Sequence, residues 1–392
     1  PGRAIERPSD GRRMNRQISR GTAKREKVVT LRDCGAEGCD IDWLSSQKHE
    51  AEIDDVMGFT RYAMDQGWGD GLPLIPPTEV RVRTFLGSNN RYPDEVICTL
   101  PPAEGECTVE KIAINAVMAG APAESLPLLI AALEAMGDPD FELFGLNTTT
   151  APVVPVTIVN GPIRERLDIP YRHGCLGGAR TSALAIGRAI RLVIRNVAGQ
   201  EVNVTSQTTF GSPGRVAGIL FGEWEERSPW APLAERRGVP GDAVSVYGTM
   251  GTQNIIDTTS QKGPEFLEMI GKSLGYPGAN GFSPAMPFAE TLVAINPVWA
   301  EIIHRDVPGL EDVQELIWRH ASVDADHLLP KHREQLEAQD RIINGRAYLS
   351  VEPKDVLVVC CGGTGGLHAT GFHSFGSCLT QTRGILPGPA AV

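Results

Sequence analysis

From residue 153 onward the chain switches repeatedly between short apolar runs of strand length and longer amphipathic segments. VVPVTIVNGP (153–162), VAGILFGE (216–223), DAVSVYG (242–248), TLVAINP (291–297) and DVLVVCC (355–361) read as strands. SALAIGRAIRLVIRNVAG (182–199) reads as a long helix closed by Gly199, and further helices are expected near 264–274 and 309–320. Strands alternating with helices leave few architectures open. The expectation is an α/β fold: a largely parallel mixed sheet flanked by helices.

The segment before this alternation is helical in character. Val56, Phe59, Tyr62 and Ala63 fall at helical spacing in DDVMGFTRYAMDQGWG. Prolines hold LPLIPP extended, and Thr78 is placed to cap a helix running to Leu86. Thr108 and Ser125 are placed to cap VEKIAINAVMAG and LPLLIAALEAM, both apolar on most sides. The expected organisation is a disordered or loosely ordered tail at 1–50, a helical part at 51–150 and an α/β part at 151–392. The last two could form one continuous large domain.

Composition excludes several classes. The net charge of −11 argues against nucleic acid as the main partner. Residues 1–27 do carry nine Lys or Arg against three acids, as a basic tail would. No apolar run is long enough for a transmembrane helix, and the N-terminus has no apolar signal-peptide segment. Eight cysteines in 392 residues are too sparse for a disulfide scaffold. A cytoplasmic chain with reduced thiols is expected, with no membrane partner and the option of a homo-oligomer. Cys34 and Cys39 alone are a poor zinc motif.

Among candidate sites, the loop YRHGCLGGARTS before the long helix ranks first. Gly174, Gly177 and Gly178 permit close backbone approach, and a helix start offers free N–H groups to an anion. His173 and Cys175 suit acid–base and nucleophilic work, and Arg180 suits a carboxylate clamp. Arg188, Arg191 and Arg195 form a stripe expected to be a solvated or interface face, with Arg188 alone near enough to the loop for a ligand. Asp70 sits between glycines in a constrained loop. Glu110, Lys111 and Asn115 are polar groups on an apolar helix. Asn147, Thr148, Thr149, Gln207 and Thr208 could hydrogen-bond a polar substrate, and Glu223 follows a strand directly.

The densest stretch is VVCCGGTGGLHATGFHSFGSC (358–378). Strand alternation sends Cys360 and Cys361 to opposite faces, so one belongs to the core and the other can reach the loop. Gly363, Gly365 and Gly366 at a strand's carboxyl end suit a ligand loop. No Lys follows for a phosphate loop. His368, His373 and Cys378 match no standard zinc spacing. No cofactor is expected, and a metal is the weaker reading.

The combination GDGLPLIPPT, VEKIAINAVMAGAP, IVNGP, GxxGGAR…AIGRAIRLV and SPW resembles a bacterial family associated with UGSC-type selenoproteins. Their motif places selenocysteine or cysteine before Gly-Ser-Cys. The similarity spans roughly 58–260 and the glycine-rich end at 362–376. It implies thiol or selenol chemistry. This chain departs from the motif with Phe375-Gly376-Ser377-Cys378, where phenylalanine stands in the reactive position.

The leading expectation is an enzyme acting on a small anionic or polar metabolite, a thiol-dependent oxidoreductase, hydrolase or lyase. Cys175 or Cys361 would be the nucleophile or redox thiol, His173 or His368 the acid–base partner, and Arg180 the anion clamp. The substrate would lie among the loops at 68–78, 147–150, 173–181 and 362–368. The alternatives are a thiol-independent hydrolase or lyase using Asp70, Glu223 and His173, and a non-catalytic metal- or ligand-binding protein.

Overall fold

A computed structural model describes residues 25–29, 44–52, 55–286 and 290–387. The expected tail and the Cys34/Cys39 pair lie largely or wholly outside these residues. The centre is a seven-stranded mixed sheet of β1 (Val154–Asn160), β2 (Ile219–Gly222), β3 (Ala243–Ile256), β4 (Thr291–Ile295), β5 (Val356–Cys360), β6 (His368–Ser374) and β7 (Gln381–Gly384). The order is β5-β4-β6-β3-β1-β2, with β7 paired to the first residues of β3. β1 runs parallel to β2, and β4 parallel to β5. The other pairings are antiparallel, because β6 inserts between β3 and β4 against both.

β6 is the element hidden in the histidine-rich stretch. Its sequence HATGFHS lacks an apolar run, yet it is a central strand. Phe372 supplies its inward anchor, stacked on Phe221 with ring centroids 6.1 Å apart. Gly371 leaves room for Leu274, whose side chain would meet a β-carbon there at 2.4 Å.

The sheet curls until its two edges meet. Strand twist accumulates across neighbours in this sense. The Trp224 N–H, just past β2, donates to the Cys360 carbonyl of β5 at 2.6 Å. The other outward carbonyls of β5 are also satisfied: Gln314 Nε2 donates to Val356 O at 2.7 Å and Arg236 Nη2 to Val358 O at 2.5 Å. An edge strand presents unpaired backbone groups, and here side chains and a loop amide close the described ones. The end of β5 is thereby fixed in place.

Period-two alternation sorts the side chains into an inside and an outside. Val156, Ile158, Phe221, Tyr247, Leu292, Ala294, Leu357, Val359 and Phe372 fill the interior of the curled sheet. Their neighbours Val293, Ile295, Val356, Val358 and Cys360 face outward. They pack under α6 (Gly263–Leu274), α7 (Pro297–Asp306) and α8 (Leu310–His320). The other outer face is covered by the N-terminal helices α1 (Val56–Asp65), α2 (Glu79–Leu86), α3 (Val109–Ala119) and α4 (Leu126–Met136), with α5 (Ala183–Asn196). Residues 55–150 thus share one core with the sheet. Burying each such aliphatic side chain contributes about 1.5–3 kcal/mol.

The caps follow the sequence in part. Thr108 Oγ1 accepts from Lys111 N, as expected. Ser125 Oγ instead donates to Pro122 O, and Thr78 makes no side-chain cap. Helix α7 was not anticipated, because its Pro297 falls in what reads as a strand ending. Proline at a helix's first position is tolerated, and Asn296 caps it through Trp299 N at 3.0 Å.

Candidate thiol site

Cys360 and Cys361 do separate across the strand. Cys360 is buried among the helix-facing residues, and burial pushes its thiol up to about 12. Cys361 turns inward, where it joins Cys175 from the loop before α5. Backbone bonds hold the two segments together. The Gly362 N–H donates to Tyr171 O at 2.9 Å, tying the end of β5 to the start of the 171–178 loop. The Cys361 N–H donates to Ile295 O at 3.1 Å. Gly362 has φ +95°, a left-handed turn that a side chain rarely adopts, and this lets the chain leave the strand there.

The two side chains pack in one cluster inside the curled sheet, where each thiol shifts the ionisation of the other. The neighbouring Cys361 thiol lowers the Cys175 thiol from its usual value. Burial opposes the effect, and N–H groups of Cys175, Leu176 and Gly362 reinforce it. Cys361 responds in the opposite sense: the neighbouring Cys175 thiol and full burial push it well up. The two thiols are thus shifted in opposite directions, and a lowered thiol is the more reactive partner in sulfur chemistry.

Both sulfurs line a cavity of about 520 Å³. Its walls are the 173–177 loop, the ends of β4 and β5, and the glycine loop 362–367 leading into β6. His173 and His368 stand on the wall, both exposed. The Thr364 N–H donates to His173 Nε2 at 3.4 Å, so the protein-bonded tautomer carries its proton on Nδ1. Gly363 is small by necessity, since a β-carbon there would meet the His173 ring at 2.4 Å. Asn296 also lines the wall, a position that sequence reading passed over; its place at the end of β4 was the available signal.

The structure therefore brings together Cys175, Cys361, His173, His368, Gly177, Gly363, Gly365 and Gly366. Gly178 falls on an adjacent small cleft. Arg180 does not reach the main cavity; its side chain is exposed to solvent, so the expected clamp is absent from the wall. Asp70 is elsewhere, held by Arg188 through both oxygens at 2.7 Å. Burial would raise its carboxyl, but the bonds from Arg188 and the Leu72 N–H outweigh this and hold it below the usual value. Glu223 is enclosed, accepting from Asn160 Nδ2 at 2.9 Å and Leu233 N at 2.8 Å. Asp70, Glu223 and His173 consequently share no cavity.

Several polar side chains singled out in the sequence bond within the protein. Asn147 donates to Pro101 O at 2.7 Å and accepts from Gln200 at 3.0 Å, and Thr148 Oγ1 donates to Phe144 O. Glu110 accepts from Ser45 and Ser46, and Lys111 donates to Glu106 O. Asn115 bonds Asn196. His373 and Cys378 diverge: His373 bonds Gln253 at 2.7 Å, while Cys378 is buried beside Gly248 and Leu146. Among the described residues no group of three His, Cys, Asp or Glu is arranged to hold a metal. No helix among them is long and apolar enough to cross a membrane.

No family model matches the chain, and no curated protein matches it.

Proposed function

We propose that the chain is a thiol-dependent enzyme that carries out two-electron thiol–disulfide exchange on a small polar or anionic molecule. One observation carries this reading: Cys175 and Cys361, far apart in sequence, meet on the wall of a cavity sized for a metabolite. The resemblance to UGSC-type proteins, with their thiol or selenol chemistry, points the same way.

The Cys175 thiolate attacks one sulfur of a small disulfide. That S–S bond breaks, a mixed disulfide forms on Cys175, and the first thiolate leaves. It takes up the proton that Cys361 gives up, by way of His173, His368 or water at the cavity wall. The Cys361 thiolate then attacks Cys175 Sγ and displaces the second substrate thiolate. Two electrons pass to the substrate, and the Cys175–Cys361 pair becomes a disulfide. A dithiol reductant returns the pair to its starting state. The glycines Gly363, Gly365 and Gly366 offer backbone N–H groups to the polar end of the substrate.

The test is to mix reduced protein with oxidised glutathione and map the products by mass spectrometry. The expected result is a Cys175–Cys361 disulfide in the parent chain and a trapped glutathione adduct on Cys175 in Cys361→Ser. A chain that gives neither product, or an adduct on Cys361 in Cys175→Ser at the parent rate, rules this mechanism out.

A further inference from the structure

A second cavity, of about 630 Å³, lies along the C-terminal half of α5, away from the thiol pair. Three arginines line it: Arg191, Arg195 and Arg215. None has an acidic partner among the described residues. Arg191 is only 6% exposed, and its guanidinium meets neutral groups alone, donating to Arg215 O at 2.9 Å and to Gln200 Oε1. Arg215 donates to Ala151 O at 3.3 Å and Ser206 Oγ at 2.9 Å. Arg195 has a buried Nε with no hydrogen-bond partner. The single carboxylate on the wall, Asp70, is already engaged by Arg188 through both oxygens.

Three cations sharing a partly desolvated space without a counter-charge is a costly arrangement. The cost shows in the ionisation of two of them. Burial, with the Arg215 charge adding to it, holds Arg191 down to about 9, and burial lowers Arg215 as well. Such a cluster on a helix expected to face solvent calls for an occupant. Guanidinium forks match the oxygens of phosphate and carboxylate, and several together favour a multiply charged group. Thr209, also on the wall, has an exposed side chain whose hydroxyl is free to meet a ligand. Phe210 lies on the same cavity at 95% exposure, an apolar face against which an organic moiety could rest.

We infer that this cavity is a binding site for a phosphate group, held by Arg191, Arg195 and Arg215. The phosphate could be free or carried on an ester; Phe210 distinguishes the two. The site is separate from the thiol cavity, so its occupancy does not depend on the thiol mechanism.

The experiment is isothermal titration of the full chain with inorganic phosphate, pyrophosphate and adenosine monophosphate, at ionic strength matched with chloride. The expected result is saturable one-to-one binding that Arg195→Gln and Arg215→Gln each weaken at least tenfold. Binding should raise the thermal midpoint of the parent chain. Arg195 is the primary target, because replacing the buried Arg191 could unfold the chain. Circular dichroism confirms that each variant tested is folded. Cys175→Ser should bind as the parent does. A Phe210→Ala change that weakens the nucleotide alone supports an ester ligand, and one that weakens nothing supports free phosphate. No saturable binding by the folded parent, or binding that both arginine variants leave unchanged, overturns the proposal.

Discussion

Cys175 and Cys361 pack side by side inside the curled sheet, and their neighbourhood separates two chemically identical side chains into a lowered and a raised thiol. A single substitution tests this division. Cys361→Ser replaces the thiol with a hydroxyl of different reach, and Cys361→Ala removes the thiol outright. Alkylation of Cys175 by iodoacetamide in the parent should set in at lower pH than that of an ordinary cysteine. In Cys361→Ala the same rate profile should move to higher pH, because the thiolate loses its strongest support. If the profile does not move, the backbone N–H groups alone set the Cys175 thiolate.

His373 is expected to make the fold acid-sensitive. Burial lowers it from 6.5 to about 4, Nε2 bonds Gln253, and Nδ1 is buried without a partner. A group whose folded value is depressed contributes stability above its unfolded value and loses it as pH falls toward the folded value. The window is therefore pH 6.5 down to about 4. The loss is on the order of 3 kcal/mol across that window. Urea unfolding at intervals of pH checks this, and His373→Asn should flatten that part of the curve.

The Asp70–Arg188 pair fastens the 68–74 loop to α5. Each side chain is 11% exposed, and Arg188 also donates to Pro73 O at 2.9 Å. Asp70→Asn should destabilise the chain by about 2–3 kcal/mol, since it leaves a largely buried guanidinium with weaker partners. Cys175 alkylation in the folded variant should match the parent. A large fall in thiol reactivity with unchanged stability would return Asp70 to the site chemistry.

Gly187 is a packing requirement. A β-carbon there would lie 2.6 Å from Ala217 O, and one at Gly218 would lie 2.8 Å from Gly187 O. Backbone cannot retreat as a flexible side chain can. Gly187→Ala should cost about 1–3 kcal/mol, despite the higher helix propensity of alanine. Denaturant midpoints at constant slope measure it.

The alternation of apolar runs with amphipathic segments made the α/β class and most helix positions legible, because burial imposes its period on the sequence directly. The split of Cys360 from Cys361 was legible for the same reason: neighbours on a strand must face opposite ways. β6 was not. Its residues carry no strand pattern of their own, and its place between β3 and β4 is decided by two partners and by Phe372 filling the interior. The arginine stripe on α5 misled, because helical spacing shows only that residues share a face. Whether that face meets open water or a pocket depends on the loop at 208–216, which lines it together with the helix.

The sequence by itself determined the layers, the glycine-bearing loops and the presence of reactive side chains in them. Only the tertiary structure decided which of these meet. It joined Cys175 to Cys361 through the Gly362–Tyr171 backbone bond, removed Asp70, Arg180 and Glu223 from that cavity, and left three arginines facing a second one. Sequence periodicity reports the burial of each element, whereas a site depends on the contact of elements distant in the chain, which the curl of the sheet sets.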